Sequence, residues 1–133
     1  MTTLLGFDYG TAKIGVAVGQ TLTGTAKPLE TLRAVRNKPD WQNIERLIET
    51  WQPEALVVGL PFQMDDKEAE IADRAKRFSR QLSGRFGLQV HLVDERLTSR
   101  EACNQAGKHV KRIEQLDAIA ATLILETWLS DRK

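Results

Sequence analysis

Four carboxylates stand where they can do joint chemistry. Asp8 ends an apolar run, Thr3–Tyr9, and is followed closely by Gly10 and Thr11. Asp94 and Glu95 close a second apolar run, Leu88–Val93, and Asp117 interrupts an otherwise apolar stripe. Oxygen ligands of this kind suit hard cations such as magnesium, which keeps several waters when bound and so leaves positions for phosphate oxygens. Two such ions roughly 4 Å apart activate a water and stabilise the leaving oxygen in phosphodiester cleavage. No serine–histidine–acid set is legible: His91 falls inside an apolar run as a core or surface residue, and His109 in a basic loop. Each acid also has a plainer reading. An acid at a strand end starts turns, and Asp117 is an N-cap if its helix begins later.

The elements that must position these acids follow from periodicity. Thr3–Tyr9 and Ile14–Gly19 are short apolar runs separated by Gly10-Thr-Ala-Lys13, the pattern of a β-hairpin. A third strand is expected around Ala26–Ala34, with Pro28 marking a break or a sheet edge. Trp41, Ile44, Leu47, Ile48 and Trp51 recur at helical spacing behind Asp40 as N-cap, and Pro53 stops that helix. Ala55–Leu60 reads as a strand buried on both faces. Lys67–Arg85 reads as a helix closed by Gly84 or Gly87, followed by the strand Leu88–Val93. Helices over Ser99–Ala106 and Ile113–Leu129 complete the chain.

In the last of these, positions 113, 117, 120, 124 and 128 share a face reading Ile, Asp, Ala, Ile, Trp. A carboxylate in that stripe needs a cation, an arginine or a helix N-terminus to offset its desolvation. An antiparallel meander followed by strands alternating with helices implies an α/β fold, a mixed central sheet flanked by helices, as in the RNase H-like layout. In such sheets ligands gather beyond the C-terminal ends of parallel strands. If the strands ending in Asp8 and Asp94 are parallel and adjacent, their acids converge.

Composition sets the outer bounds. The chain has 133 residues, enough for a single domain over 1–133 with its own core. One cysteine, Cys103, excludes an intramolecular disulfide and a cysteine-cluster zinc site. No run spans a bilayer and the N-terminus lacks signal-peptide character, so a soluble, cytoplasmic protein is expected. Net charge is +1, so bulk charge gives no case for nucleic acid and attraction to a polyanion must be local.

Asp8-Tyr-Gly-Thr-Ala-Lys-Ile-Gly-Val-Ala17 resembles the opening motif of the YqgF/RuvX family of pre-16S rRNA nucleases and Holliday junction resolvase homologues. Three further segments support the resemblance in order: Val58-Gly-Leu-Pro61 with Met64-Asp65, Asp94-Glu-Arg-Leu-Thr98, and Asp117-Ala-Ile-Ala-Ala121. The resemblance covers essentially the whole chain. It implies an RNase H-like, Mg²⁺- or Mn²⁺-dependent nuclease that trims the 5′ end of the small-subunit ribosomal RNA precursor. Asp8, Glu95 and Asp117 would be the metal-binding acids, with Asp94 a rival for the second place.

Thr11, Lys13, Arg96, Lys108, Lys111 and Arg112 are the candidate substrate contacts, with Arg100 near them. Lys13 stands where the family often has arginine, which keeps the charge but loses bidentate geometry. Solvated surface charge is the plainer reading for such cations, and for Arg74, Arg77 and Arg80 on the middle helix. The partners implied are nucleic acid and ribosomal precursor particles, with branched DNA as the alternative substrate, and a monomer or weak dimer.

Two other functions compete with this one. The phosphate-cradling domain of sugar kinases and actin-like ATPases also opens on Asp-x-Gly-Thr, but 133 residues leave no room for its second domain. A catalytically silent RNA-binding assembly module would keep the same fold.

Overall fold

The computed structural model describes residues 3–10, 12–36, 38–60, 66–94 and 113–130, without the side chains of residues 66–68, 94 and 113–117. Strands β1 (Thr3–Asp8), β2 (Lys13–Gln20) and β3 (Thr25–Arg33) form the meander. Helix α1 (Trp41–Trp51), strand β4 (Ala55–Leu60), helix α2 (Asp66–Phe86) and strand β5 (Gln89–Asp94) alternate after it. Helix α3 (Ile113–Ser130) follows. The expected helix over Ser99–Ala106 lies outside the described residues.

The five strands make one sheet in the order β3-β2-β1-β4-β5, with β1, β4 and β5 parallel and β2 antiparallel to both its neighbours. β1 and β5 are therefore parallel but not adjacent. This corrects one alternative left open by the sequence: β4 separates the strands carrying Asp8 and Asp94, by two strand spacings of about 4.8 Å each. Pro28 does mark an edge. β3 is an outer strand of the sheet, and its register slips beside Val16/Ala17, where Ala17 pairs with Pro28 and Val16 with Glu30. An outer strand tolerates the missing donor that a central one would not.

Each face of the sheet buries its own core. Leu5, Phe7, Ile14, Val16, Val18, Leu56 and Val58 pack with Ile44 and Leu47 of α1 and with Ala75, Phe78 and Leu82 of α2. Leu4, Ala17, Ala55 and Val57 pack with Ala121, Ile124, Leu125 and Leu129 of α3. The strict alternation of strand side chains sorts these residues, so Leu5 and Phe7 go one way and Leu4 the other. α3 approaches the sheet closely because Gly6 has no side chain. A Cβ there would lie 3.0 Å from Leu125 Cβ and 3.2 Å from the Ala121 carbonyl oxygen. Thr122 Oγ1 donates to the Ala118 carbonyl at 2.8 Å, so this buried hydroxyl is satisfied within the helix.

The helix ends follow local chemistry. Asp40 caps α1: Oδ1 accepts from the Asn43 amide at 3.3 Å and Oδ2 from Asn43 Nδ2 at 2.6 Å. Gln52 ends α1 in a left-handed conformation, its N–H reaching the Ile48 carbonyl at 2.8 Å, and Pro53 follows. Gly87, at φ +66°, closes α2, whereas Gly84 lies inside it. Asp40→Ala is expected to cost about 1 kcal/mol. Thermal melting checks this, and an unchanged melting temperature would show that the cap is not contributing.

Candidate active site

The row of the sheet that holds Asp8 is unusual in its side chains. Register pairs Asp8 with Gly15 of β2 on one side and Gly59 of β4 on the other. Alternation puts Asp8, two residues beyond Gly6, on the α3 face. Neither neighbouring strand therefore sets a side chain beside its carboxylate on that face. The row continues to Thr31 beyond Gly15 and to Val93 beyond Gly59. Gly10, two residues past this strand end, is required for space: a Cβ would come 2.7 Å from the Lys13 carbonyl oxygen.

Helix α3 runs antiparallel to β1. Leu125 reaches both Gly6 and Gly19, the register partner of Leu4, while the Ala121 carbonyl lies over Gly6. Position 117 is one helical turn before Ala121, about 6 Å along the axis. Asp8 is two strand residues beyond Gly6, about 6.7 Å along β1. The two displacements match, so the α3 backbone at Asp117 comes alongside the end of β1. The helix begins at Ile113, four residues before Asp117, which rules out the N-cap reading of that residue. Glu126, nine residues further on, has its carboxyl pKa raised by partial burial and lies well away from this edge.

At β5, Val93 packs in the α3-side cluster and His91 stacks on Trp128, ring centroids 4.8 Å apart. His91 is thus part of the packing under α3 and away from the C-terminal edge. Asp94 ends β5 and pairs with Leu60. Thr11, Glu95, Arg96, Arg100, Lys108, His109, Lys111 and Arg112 lie outside the described residues. Among the described residues no three His, Cys, Asp or Glu gather in a metal-binding group. Asp8 is the one member of the expected acid set whose side chain is described.

Lys13 opens β2, half-buried, and shares the α3 face with Asp8, because Ile14, Val16 and Val18 face the other way. Its register partner is Arg33. Arg33, Arg36 and Lys38, all exposed, extend this positive edge. They are not among the substrate contacts expected from the sequence. Three cations within Arg33–Lys38 are legible as a short basic run, and the β2–β3 register sets the first of them opposite Lys13. No described helix is long and apolar enough to cross a membrane.

Comparison with known proteins agrees with this architecture. Residues 2–131 match the family model described as RuvX, Holliday junction resolvase. A protein of Azotobacter vinelandii named "Putative pre-16S rRNA nuclease" is 52% identical over 133 residues, covering 97% of this chain and 94% of its own length. One of the same name from Aeromonas salmonicida is 47% identical over 133 residues, covering 97% and 95%. Among solved structures, T. thermophilus RuvC in complex with a Holliday junction substrate superposes with a TM-score of 0.61 at 17% identity, covering 99% of this chain and 96% of that one. The fowlpox virus Holliday junction resolvase gives 0.60 at 10% identity, covering 98% and 99%. At such identities the likeness is one of fold, and that fold is RNase H-like.

Proposed function

The chain belongs to the RuvX family, and from that premise we propose that it is a metal-dependent nuclease that trims the 5′ end of the 16S ribosomal RNA precursor. The observation that carries this reading is the position of Asp8. It ends a central parallel strand between two glycines, at the edge where α3 brings the Asp117 backbone alongside. Such an arrangement keeps the neighbouring strands from crowding the carboxylate. It leaves its flanks to ligands arriving from α3 and from the segment after Asp94.

Asp8, Glu95 and Asp117 are the acids assigned to hold Mg²⁺ or Mn²⁺. Their all-oxygen donor set suits hard cations. Glu95 takes the second place on the family resemblance of Asp94-Glu-Arg-Leu-Thr98, with Asp94 as its rival. The chemistry such ions supply is activation of a water and stabilisation of the leaving oxygen. Lys13 lies on the same face and bears on the phosphates flanking the scissile bond. Thr11, Arg96, Lys108, Lys111 and Arg112 are assigned to the same task.

Precursor RNA is preferred to branched DNA as substrate because the relatives at about half identity carry the rRNA name. The resolvase likeness, at 17% identity or less, supports the fold alone. In this reading the protein works in the cytoplasm on ribosomal precursor particles.

Incubation of a 5′-extended 16S precursor RNA with the protein is expected to yield cleavage in Mg²⁺ or Mn²⁺ and none in excess chelator. Activity should return when metal is restored. Cleavage that persists in chelator would refute the metal assignment. Absence of cleavage in either metal would leave a silent RNA-binding assembly module as the better reading.

A further inference from the structure

We propose that a cavity between the end of α1 and the β2–β3 hairpin binds one ribonucleotide unit, its base against Trp51 and its phosphate on Lys27. The cavity measures about 280 Å³ and is bordered by Val18 and Gln20 of β2, Thr23 of the hairpin turn, Thr25 and Lys27 of β3, and Trp51. Ligand pockets run to roughly 300–1,000 Å³, so this one suits a single nucleotide and not an extended ligand. It is separate from the candidate active site. Asp8 stands at the C-terminal edge of the sheet on the α3 face. Gln20 and Thr25 pair at the far end of β2, about 24 Å along the strand from Lys13. Val18 packs with α1 and α2 on the opposite face.

Local structure makes the opening. α1 stops at Trp51 because Gln52 turns left-handed, φ 47°, and its N–H closes on the Ile48 carbonyl at 2.8 Å. β2 runs on to Gln20, and Gly24, at φ 67°, brings the chain back into β3 with its N–H on the Gln20 carbonyl at 3.0 Å. The cavity lies where the helix ends and the hairpin turns. Trp51, half-buried, both packs against the core and borders the cavity.

The side chains on the border are the parts a nucleotide requires. An indole stacks on any base, because every base has a π-face. Among the described residues on the border Lys27 alone is charged, and one ammonium matches one phosphate. Its Nζ lies 5.7 Å from the Trp51 ring centroid, close to the outer limit of about 6 Å for a cation–π contact. So loose a contact lets the exposed lysine swing to a phosphate while the base takes the ring. Thr23 and Thr25 share one hydroxyl hydrogen bond at 2.7 Å and keep further capacity, and the Gln20 amide both donates and accepts. Those groups suit the polar edge of a base and the ribose 2′-hydroxyl. Packing of Lys27 on Trp51 accounts for the pair, but not for a cavity bordered by three hydrogen-bonding side chains.

Two probes carry this chemistry, free AMP and oligoadenylate, and their binding is measured in chelator by calorimetry and by fluorescence anisotropy. Measured without metal, it is independent of the nuclease reading. Trp51→Leu removes the stacking face and is expected to weaken binding about tenfold, whereas Trp51→Phe should stay within about threefold of wild type. Lys27→Ala should flatten the log–log salt slope of oligoadenylate binding by about 0.7, the value for one phosphate of a single strand. Lys27→Arg keeps the charge and should retain the slope. Trp51 also packs on the core, so each variant is melted; Lys27 is exposed, and Lys27→Ala carries the test if Trp51→Leu fails to fold.

Arg77→Ala removes the same charge from an exposed position on α2 and should leave affinity and slope unchanged. Weakened binding of both probes by the Trp51 and Lys27 variants would uphold the site with a free nucleotide as its ligand. Weakening of oligoadenylate alone, with no AMP binding by wild type, would uphold it with a nucleotide of an RNA strand. A folded Trp51→Leu that binds both probes like wild type would overturn the site and leave Trp51 as cover for the core. Equal flattening by Arg77→Ala and Lys27→Ala would overturn it in favour of bulk charge. A wild-type protein that binds neither probe would overturn it outright.

Discussion

Asp8→Asn is expected to abolish metal-dependent cleavage of the precursor RNA while leaving the fold intact. Asparagine keeps the size of the side chain and one acceptor oxygen but removes the negative charge that makes the edge a cation trap. A fall of at least about a thousandfold in kcat is expected, roughly 4 kcal/mol of transition-state stabilisation. Stability should change little, because Asp8 is only half-buried and the strand is anchored by Leu5 and Phe7 on its other face. The measurement is paired: thermal melting by circular dichroism, and cleavage by wild type and variant in the same metal. A variant that cleaves as fast as wild type would refute the carboxylate mechanism. A variant that has lost both cleavage and its melting transition would move Asp8 from chemistry to folding.

The largest loss of stability is expected from Phe78→Ala. Phe78 is fully buried on α2, and its ring meets Phe7 at 5.7 Å edge-on, Tyr9 at 5.2 Å and Trp41 at 5.5 Å. It thereby ties a helix to β1, to the residue after Asp8 and to the start of α1. Removing a buried phenyl ring costs about 3–5 kcal/mol through lost transfer energy and the cavity left behind. Against a total stability of about 5–15 kcal/mol that is a large share. A drop of about 10–20 °C in melting temperature is expected for a chain of this length. Tyr9 would lose the ring it packs on, so cleavage should also weaken even where the variant is still folded. Urea and thermal melts read the first effect, and cleavage below the transition reads the second. A shift of less than about 4 °C would show that the surrounding aromatics collapse into the space, and that this core does not depend on Phe78.

Periodicity and capping, which act within a few residues, made most elements legible. The apolar runs of β1 and β2, the helical spacing of Ile44, Leu47 and Ile48, the cap at Asp40 and the stop at Pro53 are local effects, and each element lies where they predict. Pro28 signalled an edge strand for the same reason, because a missing donor is a property of one residue. The choice between Gly84 and Gly87 as the end of α2 was not legible. A glycine is tolerated inside a helix or required just after it, and only the positive φ at Gly87 separates the two cases.

The sequence alone determined that acids stand at strand ends, that the sheet is mixed, and to which family the residues around Asp8 and Asp117 point. Tertiary structure decided how those local pieces meet. Strand order depends on which apolar faces cover one another, a sum over the whole chain that no local pattern encodes. Only the fold therefore shows β4 standing between β1 and β5, with Gly59 beside Asp8. Register likewise depends on burial across strands. It sets Lys13 opposite Arg33, a pairing of residues twenty positions apart that no local pattern encodes. The close approach of α3 needs Gly6 and Ala121 in contact, residues 115 positions apart in the chain, and that contact brings the α3 backbone at position 117 alongside the end of β1.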